Sequence, residues 1–191
     1  MKLKAEAAGS FHCPRYAELP GIQLYMDQVL LVVNDALSPV TAEEDRLTPA
    51  MVNNYVKQRV VEPPVKKKYG KAHVAALIMV TAFKRVLPIL QVKRLLCLLG
   101  EGRTGEERYD LFCQTLESTL QRAALSAGDL APAPDAGLRA MRAALTAFVG
   151  KCYAESIMEE AGPEDLPEPE EPKKKKPRRN PSGEKEKEES I

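Results

Sequence analysis

Apolar residues return every three or four positions along most of this chain, the spacing of one face of an α-helix. The first such stripe is Ile22, Tyr25, Met26, Val29, Leu30 and Val33. It predicts a helix from Ile22 to about Leu37, with Asp27 near its positive end and Ser38-Pro39 closing it. Val40–Arg46, with three consecutive acids, reads as a surface link. A shorter helix then starts at Thr48, which can cap it, with Pro49 at the first helical position. Val52, Tyr55 and Val56 share one side of it, and Asn53, Asn54, Lys57 and Gln58 share the other. A third helix, from about Ala72 to Val86, is apolar on more than one face through Val74, Leu77, Ile78, Thr81 and Phe83, so it belongs at the centre of a core. Leu87-Pro88 breaks it, and Ile89 to about Leu99 forms a fourth. Residues 1–15 carry no usable pattern.

Between the second and third helices the three-to-four spacing fails. Val60-Val61-Glu62-Pro63-Pro64 cannot be helical, because two prolines favour extended or turn backbone. Val65–Tyr69 then reads as a small basic strand turned by Gly70. Helix, basic hairpin, helix is the order of a winged helix-turn-helix, expected here over 16–100. Beyond Gly100 and Gly102, Thr104 and Glu107 form a capping-box signature. Two seams follow, Cys113–Leu116–Leu120–Ala123–Ala127 and Leu138–Met141–Leu145–Phe148–Cys152, separated by a proline-containing loop. They predict a helical hairpin over 104–160, closed on itself or shared with a second copy. From 161 to 191 apolar residues almost vanish and charges and prolines dominate, the composition of a disordered tail. The fold class expected is therefore mainly α: a winged helix-turn-helix with a small β-hairpin wing, then a helical hairpin and a disordered tail.

Charge sharpens this picture. The net charge is only +1, yet between Tyr55 and Arg94 ten Lys and Arg face the single acid Glu62. A local basic patch in a near-neutral chain points to a polyanionic partner. No apolar stretch is long enough to span a membrane, and MKLKAEAAGS lacks the apolar core of a secretory signal, so a cytoplasmic protein is expected. Cys13, Cys97, Cys113 and Cys152 lack metal-ligand spacing and read as reduced thiols, small buried hydrophobes before sensors. With only His12 and His73, and no phosphate-binding glycine loop, paired acids or nucleophile motif, the sequence points away from an enzyme, a metal site or a cofactor. The Lys173–Arg179 block, KKKKPRR, reads as a solubilising or nucleic-acid-attracting tail segment.

Two blocks carry a family resemblance: LPGIQLYMDQV at Leu19–Val29, and the NNYVK, PPVKKKY and His73 series within Asn53–His73. They resemble an uncharacterised bacterial family, a domain of unknown function with a MerR-like helix-turn-helix. The second block also resembles, in pattern, the recognition region of MerR transcriptional regulators. It departs from them where their arginine and first tyrosine fall on Asn53 and Asn54, where their helix-ending glycine falls on Arg59, and in a shorter wing. Tyr55 keeps the second tyrosine.

The resemblance implies DNA binding, and the residue chemistry gives it a form. Asn53, Asn54 and Gln58 have the donor–acceptor pair that reads adenine, and Lys57 suits guanine or phosphate. Lys66, Lys67, Lys68 and Lys71 would meet phosphates, with Thr48 and Arg59 at the two ends of the helix completing the candidate DNA-binding set. One short helix and one wing cover half a site, so a homodimer on double-stranded DNA is expected. The alternative is an adaptor or anti-repressor that binds protein. An effector or protein partner is left open.

Overall fold

The computed structural model describes residues 11–129 and 136–161. The loop centred on 130–135 and the tail, with its KKKKPRR block, lie outside the described residues, as do the side chains of Ala123, Ala127 and Leu138 in the seams.

The described residues form six α-helices: α1 Met26–Leu37, α2 Pro49–Lys57, α3 Lys71–Phe83, α4 Ile89–Gly100, α5 Gly105–Asp129 and α6 Ala136–Glu160. Single turns of 3-10 helix occupy Tyr16–Glu18 and Glu43–Asp45. The centre is α3. Its Val74, Ala75, Leu77, Ile78, Met79, Val80 and Thr81 are all buried, as its multi-faced apolar pattern requires. It packs against α1 and against α5; α2 leans on α1, and α4 on α5 and α6. Helix starts follow the sequence signals. Thr48 Oγ1 accepts from Met51 N at 3.3 Å, and Thr104 and Glu107 exchange their backbone N–H groups and side-chain oxygens at 2.8 and 3.2 Å.

The expected wing is not there. The described residues contain no β-strand, only the isolated bridges Val65–Lys68 and Leu24–Tyr69. Val65 and Lys68 exchange both backbone hydrogen bonds, at 3.1 and 2.9 Å, around Lys66 and Lys67. The hairpin is thus one turn with a single residue per arm. The physical reason is local: Pro63 and Pro64 remove backbone donors on one side, and α3 begins at Lys71 on the other. Tyr69 then pairs with Leu24 at 2.8 Å both ways instead of extending the hairpin. The described residues are mainly α, without a winged helix.

The same pairing corrects the start of the first helix. Holding Leu24 to Tyr69 keeps the backbone before it out of helical geometry, so α1 begins at Met26 rather than Ile22. Ile22 and Tyr25 are exposed, at 70% and 56%, while Leu24 is buried.

The described end of the patternless N-terminal segment, from Phe11 on, is also part of the core. Phe11 and Cys13 are buried, the latter against Cys113 of α5. Arg15 grips Glu117 of α5 with both guanidinium nitrogens, and Glu117 also accepts from Cys13 N at 2.8 Å. Tyr109, Phe112 and Cys113 bring the first half of α5 into that core, Tyr109 edge-on to Tyr16 with ring centres 6.2 Å apart. Met158 buries the end of α6, while Met141, Leu145 and Phe148 of its seam are exposed.

Candidate functional site

The basic stretch folds around α2, and its neighbours fix how that helix is presented. Asn34 of α1 makes two bonds with Leu47, accepting from its N–H at 2.7 Å and donating to its carbonyl at 3.1 Å. This side-chain mimic of a backbone pair pins the chain one residue before the Thr48 cap. Val52 and Tyr55 are buried, so the opposite face of α2, with Asn53, Asn54 and Lys57, is exposed. Gln58 donates from Nε2 to Asn54 Oδ1 at 2.9 Å, so Asn54 is partly engaged within the helix. No such bond holds the Asn53 side chain among the described residues.

Helix α2 ends in a Schellman closure: Val60 N donates to Tyr55 O and Arg59 N to Val56 O, both at 3.0 Å. Arg59 occupies the left-handed position of this motif, at φ 55°, where glycine is the usual residue. The backbone keeps the turn, and the side chain adds an exposed cation.

His73, in the first turn of α3, holds the connecting loop. Its Nδ1 accepts from Gly70 N at 3.0 Å, which caps the helix and leaves the neutral ring's proton on Nε2, facing Pro63 O at 3.4 Å. The ring also stands edge-on to Tyr69, 5.6 Å between centres. Both nitrogens are engaged, so His73 is a capping residue.

The four lysines expected to act together divide into two pairs. Lys66 and Lys67 are exposed at the tip of the turn, both at positive φ (51° and 63°), as a two-residue hairpin turn demands. Lys68 lies over the Tyr25 ring at 5.3 Å. Lys71 lies over the Tyr16 ring at 5.3 Å and donates to Ala17 O at 3.1 Å. The first pair presents charge outward; the second is drawn back onto tyrosines of the N-terminal segment.

Away from this face, the thiols form the other chemical grouping. Cys13 and Cys113 are buried together, and Cys113 Sγ approaches Pro14 O at 3.6 Å. The hydrogen bond to Cys113, with burial, pushes the Cys13 thiol well above its ordinary value. Such a thiol is protonated and inert as a nucleophile. Among the described residues no group of His, Cys, Asp and Glu is placed to hold a metal ion, and no helix is long and apolar enough to cross a membrane.

No curated protein matches this chain, and neither does any solved structure. A family model does match, over residues 14–114. That span starts beside the Arg15 anchor, takes in α1 to α4 and the polar face of α2, and ends just past buried Cys113. The chain belongs to this family, described as Domain of unknown function (DUF1836).

Proposed function

We propose that this chain is a DNA-binding transcriptional regulator that acts as a homodimer, each copy reading one half-site with α2. The observation that carries the reading is the outward face of α2, with Asn53, Asn54 and Lys57, followed by a turn that exposes Lys66 and Lys67. The asparagines supply base readout and the lysines phosphate contact. Keeping two lysines and an arginine at left-handed backbone positions, where glycine or asparagine is more relaxed, also fits a surface selected for charge. The sequence likeness of Asn53–His73 to the MerR recognition region points the same way, although the contacts here would come from a helix and a turn, without a wing. In this reading the protein works in the cytoplasm, where its cysteines stay reduced.

The test is an electrophoretic shift with genomic fragments at several salt concentrations, followed by selection from random duplexes. Binding that weakens steeply with salt, with one sequence enriched, is the expected result. Absence of any shift at low salt overturns the reading. A protein-binding adaptor is the second reading, and the reduction of the wing to one turn favours it, because this leaves less surface for a duplex. Salt-sensitive binding with no enriched sequence would move the balance to it.

A further inference from the structure

A cavity of about 340 Å³ opens between the loop that follows α2, the flank of α3, helix α4 and the start of α5. Three cations border it, Arg59, Lys93 and Arg108, against one carboxylate, Glu62. Its walls are apolar, formed by Val60, Met79 and Leu96. His73 also faces it, but its nitrogens serve Gly70 N and Pro63 O. Arg108 is fixed by a hydrogen bond from Nη1 to Leu96 O at 3.2 Å, while its Nε is buried with no protein partner. Leu96 O is the one acceptor this guanidinium has among the described residues, and an arginine carries five N–H donors, so most of its hydrogen-bonding capacity is left for a ligand at the cavity wall.

We infer that this cavity is a binding site for a small organic carboxylate. The acid group would lie between Arg108 and Lys93, and its apolar body against Val60, Met79 and Leu96. Lys93 and Arg108 together carry more positive charge than Glu62 offsets, which selects an anion. The planar fork of Arg108 suits a carboxylate, and the apolar walls favour an organic ion over an inorganic one. The position also gives the ligand something to act on. Arg59 and Val60 form the Schellman closure of α2, so a ligand held beside them steadies the end of the helix that presents Asn53 and Asn54. The site stands whether or not that helix reads DNA.

The chain carries its own reporter. Cys97 lines the cavity and is half-buried, while Cys152 is exposed on α6. Alkylation of the full-length protein by iodoacetamide, followed peptide by peptide by mass spectrometry, compares the two thiols in one sample. The probes are benzoate and hexanoate, with benzamide as the neutral counterpart and inorganic phosphate as the inorganic anion. Either carboxylate at millimolar concentration should slow Cys97 while leaving Cys152 unchanged, approaching roughly tenfold when the probe is at ten times its Kd. Benzamide should not protect. Lys93→Met and Arg108→Met should each abolish protection, with circular dichroism showing the fold retained. Lys93 is only half-buried, so its variant serves if the Arg108 change disturbs folding. The inference is overturned if neither carboxylate protects Cys97, if benzamide or phosphate protects as well as the carboxylates, or if protection survives in a folded variant. None of these readouts involves DNA, so this site and the proposed function fail separately.

Discussion

Arg59 shows how a single residue can serve function against its own backbone. In the left-handed region its Cβ crowds the carbonyl that follows, a strain of about 1–2 kcal/mol that glycine escapes. Arg59→Gly should therefore stabilise the fold by about 1 kcal/mol, raising the melting temperature by about 2–4 °C for a chain of this size. Thermal denaturation followed by circular dichroism measures it, and a lower melting temperature would mean the side chain contributes more than the strain costs. The Arg15–Glu117 pair gives a second residue-scale expectation. Glu117, with its side chain 16% exposed, is held below the usual carboxylate range chiefly by hydrogen bonds from Arg15. A carboxyl with a depressed folded value adds stability above its unfolded value of ~4.3, and the gain is lost as pH falls through the folded value. Glu117→Gln should therefore cost about 1.5–3 kcal/mol at neutral pH, and the difference should shrink towards zero in acid, read by urea denaturation across pH. A pH-independent difference would contradict the charge argument. Neither feature was fully legible in the sequence. The glycine-to-arginine departure at Arg59 was visible and its backbone was not, while Arg15 and Glu117 are 102 positions apart with no periodicity to connect them.

At the scale of elements, helices read well and the hairpin did not, for one reason. Helix starts, caps and buried faces are set by residues within a few positions: Thr48 with Pro49, Thr104 with Glu107, the all-round apolar run of α3. Whether Val65–Tyr69 becomes a strand depends on what Tyr69 pairs with, and its partner, Leu24, lies 45 positions earlier. Of the candidate face, the exposed side of α2 was legible from the burial of Val52 and Tyr55. The diversion of Lys68 and Lys71 onto Tyr25 and Tyr16 was not, because those rings lie 43 and 55 positions earlier in the chain. Two predictions belong to this scale. Replacing Lys66 with Asn and Lys67 with Gly supplies the residues a two-residue turn prefers, so stability should rise by about 1 kcal/mol or more. Affinity for every duplex should fall together, and the slope of log affinity against log salt should flatten by up to about two units, at ~0.9 per lost phosphate contact. Unchanged slope and affinity would remove the turn from the interface. For base readout, the geometry favours Asn53 over Asn54, whose Oδ1 already accepts from Gln58. Asn53→Ala should relax preference at one base pair per half-site by ~1–3 kcal/mol, tenfold or more, while non-specific affinity stays near wild type. Selection from random duplexes with both single variants makes the comparison, and a larger effect at Asn54 would reverse the assignment.

For the whole molecule, the proposed dimer needs a face on which two copies meet, and α6 offers one. Met141, Leu145 and Phe148 lie on one face of α6, 53%, 53% and 62% exposed, and exposed Cys152 continues the line. In the single chain this stripe faces outward. Charge along α6 is polar in sense, with Arg142 in its first half and Glu159 and Glu160 at its end, while Glu155 pairs with Lys151 of its own chain at 2.7 Å. An antiparallel second copy centred between Phe148 and Val149 sets Leu145 opposite Cys152 and brings the basic first half of each helix to the acidic end of the other, whereas a parallel copy opposes like ends. Each α6 docks on its own core at Met158, ten residues from the centre, so the two docking points sit about 30 Å apart at 1.5 Å per residue. Changing Leu145 and Phe148 together to Glu should give a monomer that keeps its helical circular dichroism, since both side chains are exposed in the single chain. Light scattering should show the halved mass. Half-sites selected by wild type should lie at a fixed spacing, and the double variant should lose the spacing preference while each copy still binds a half-site weakly. A wild-type protein that is monomeric at tens of micromolar, or a double variant that remains a dimer, would remove α6 from the assembly.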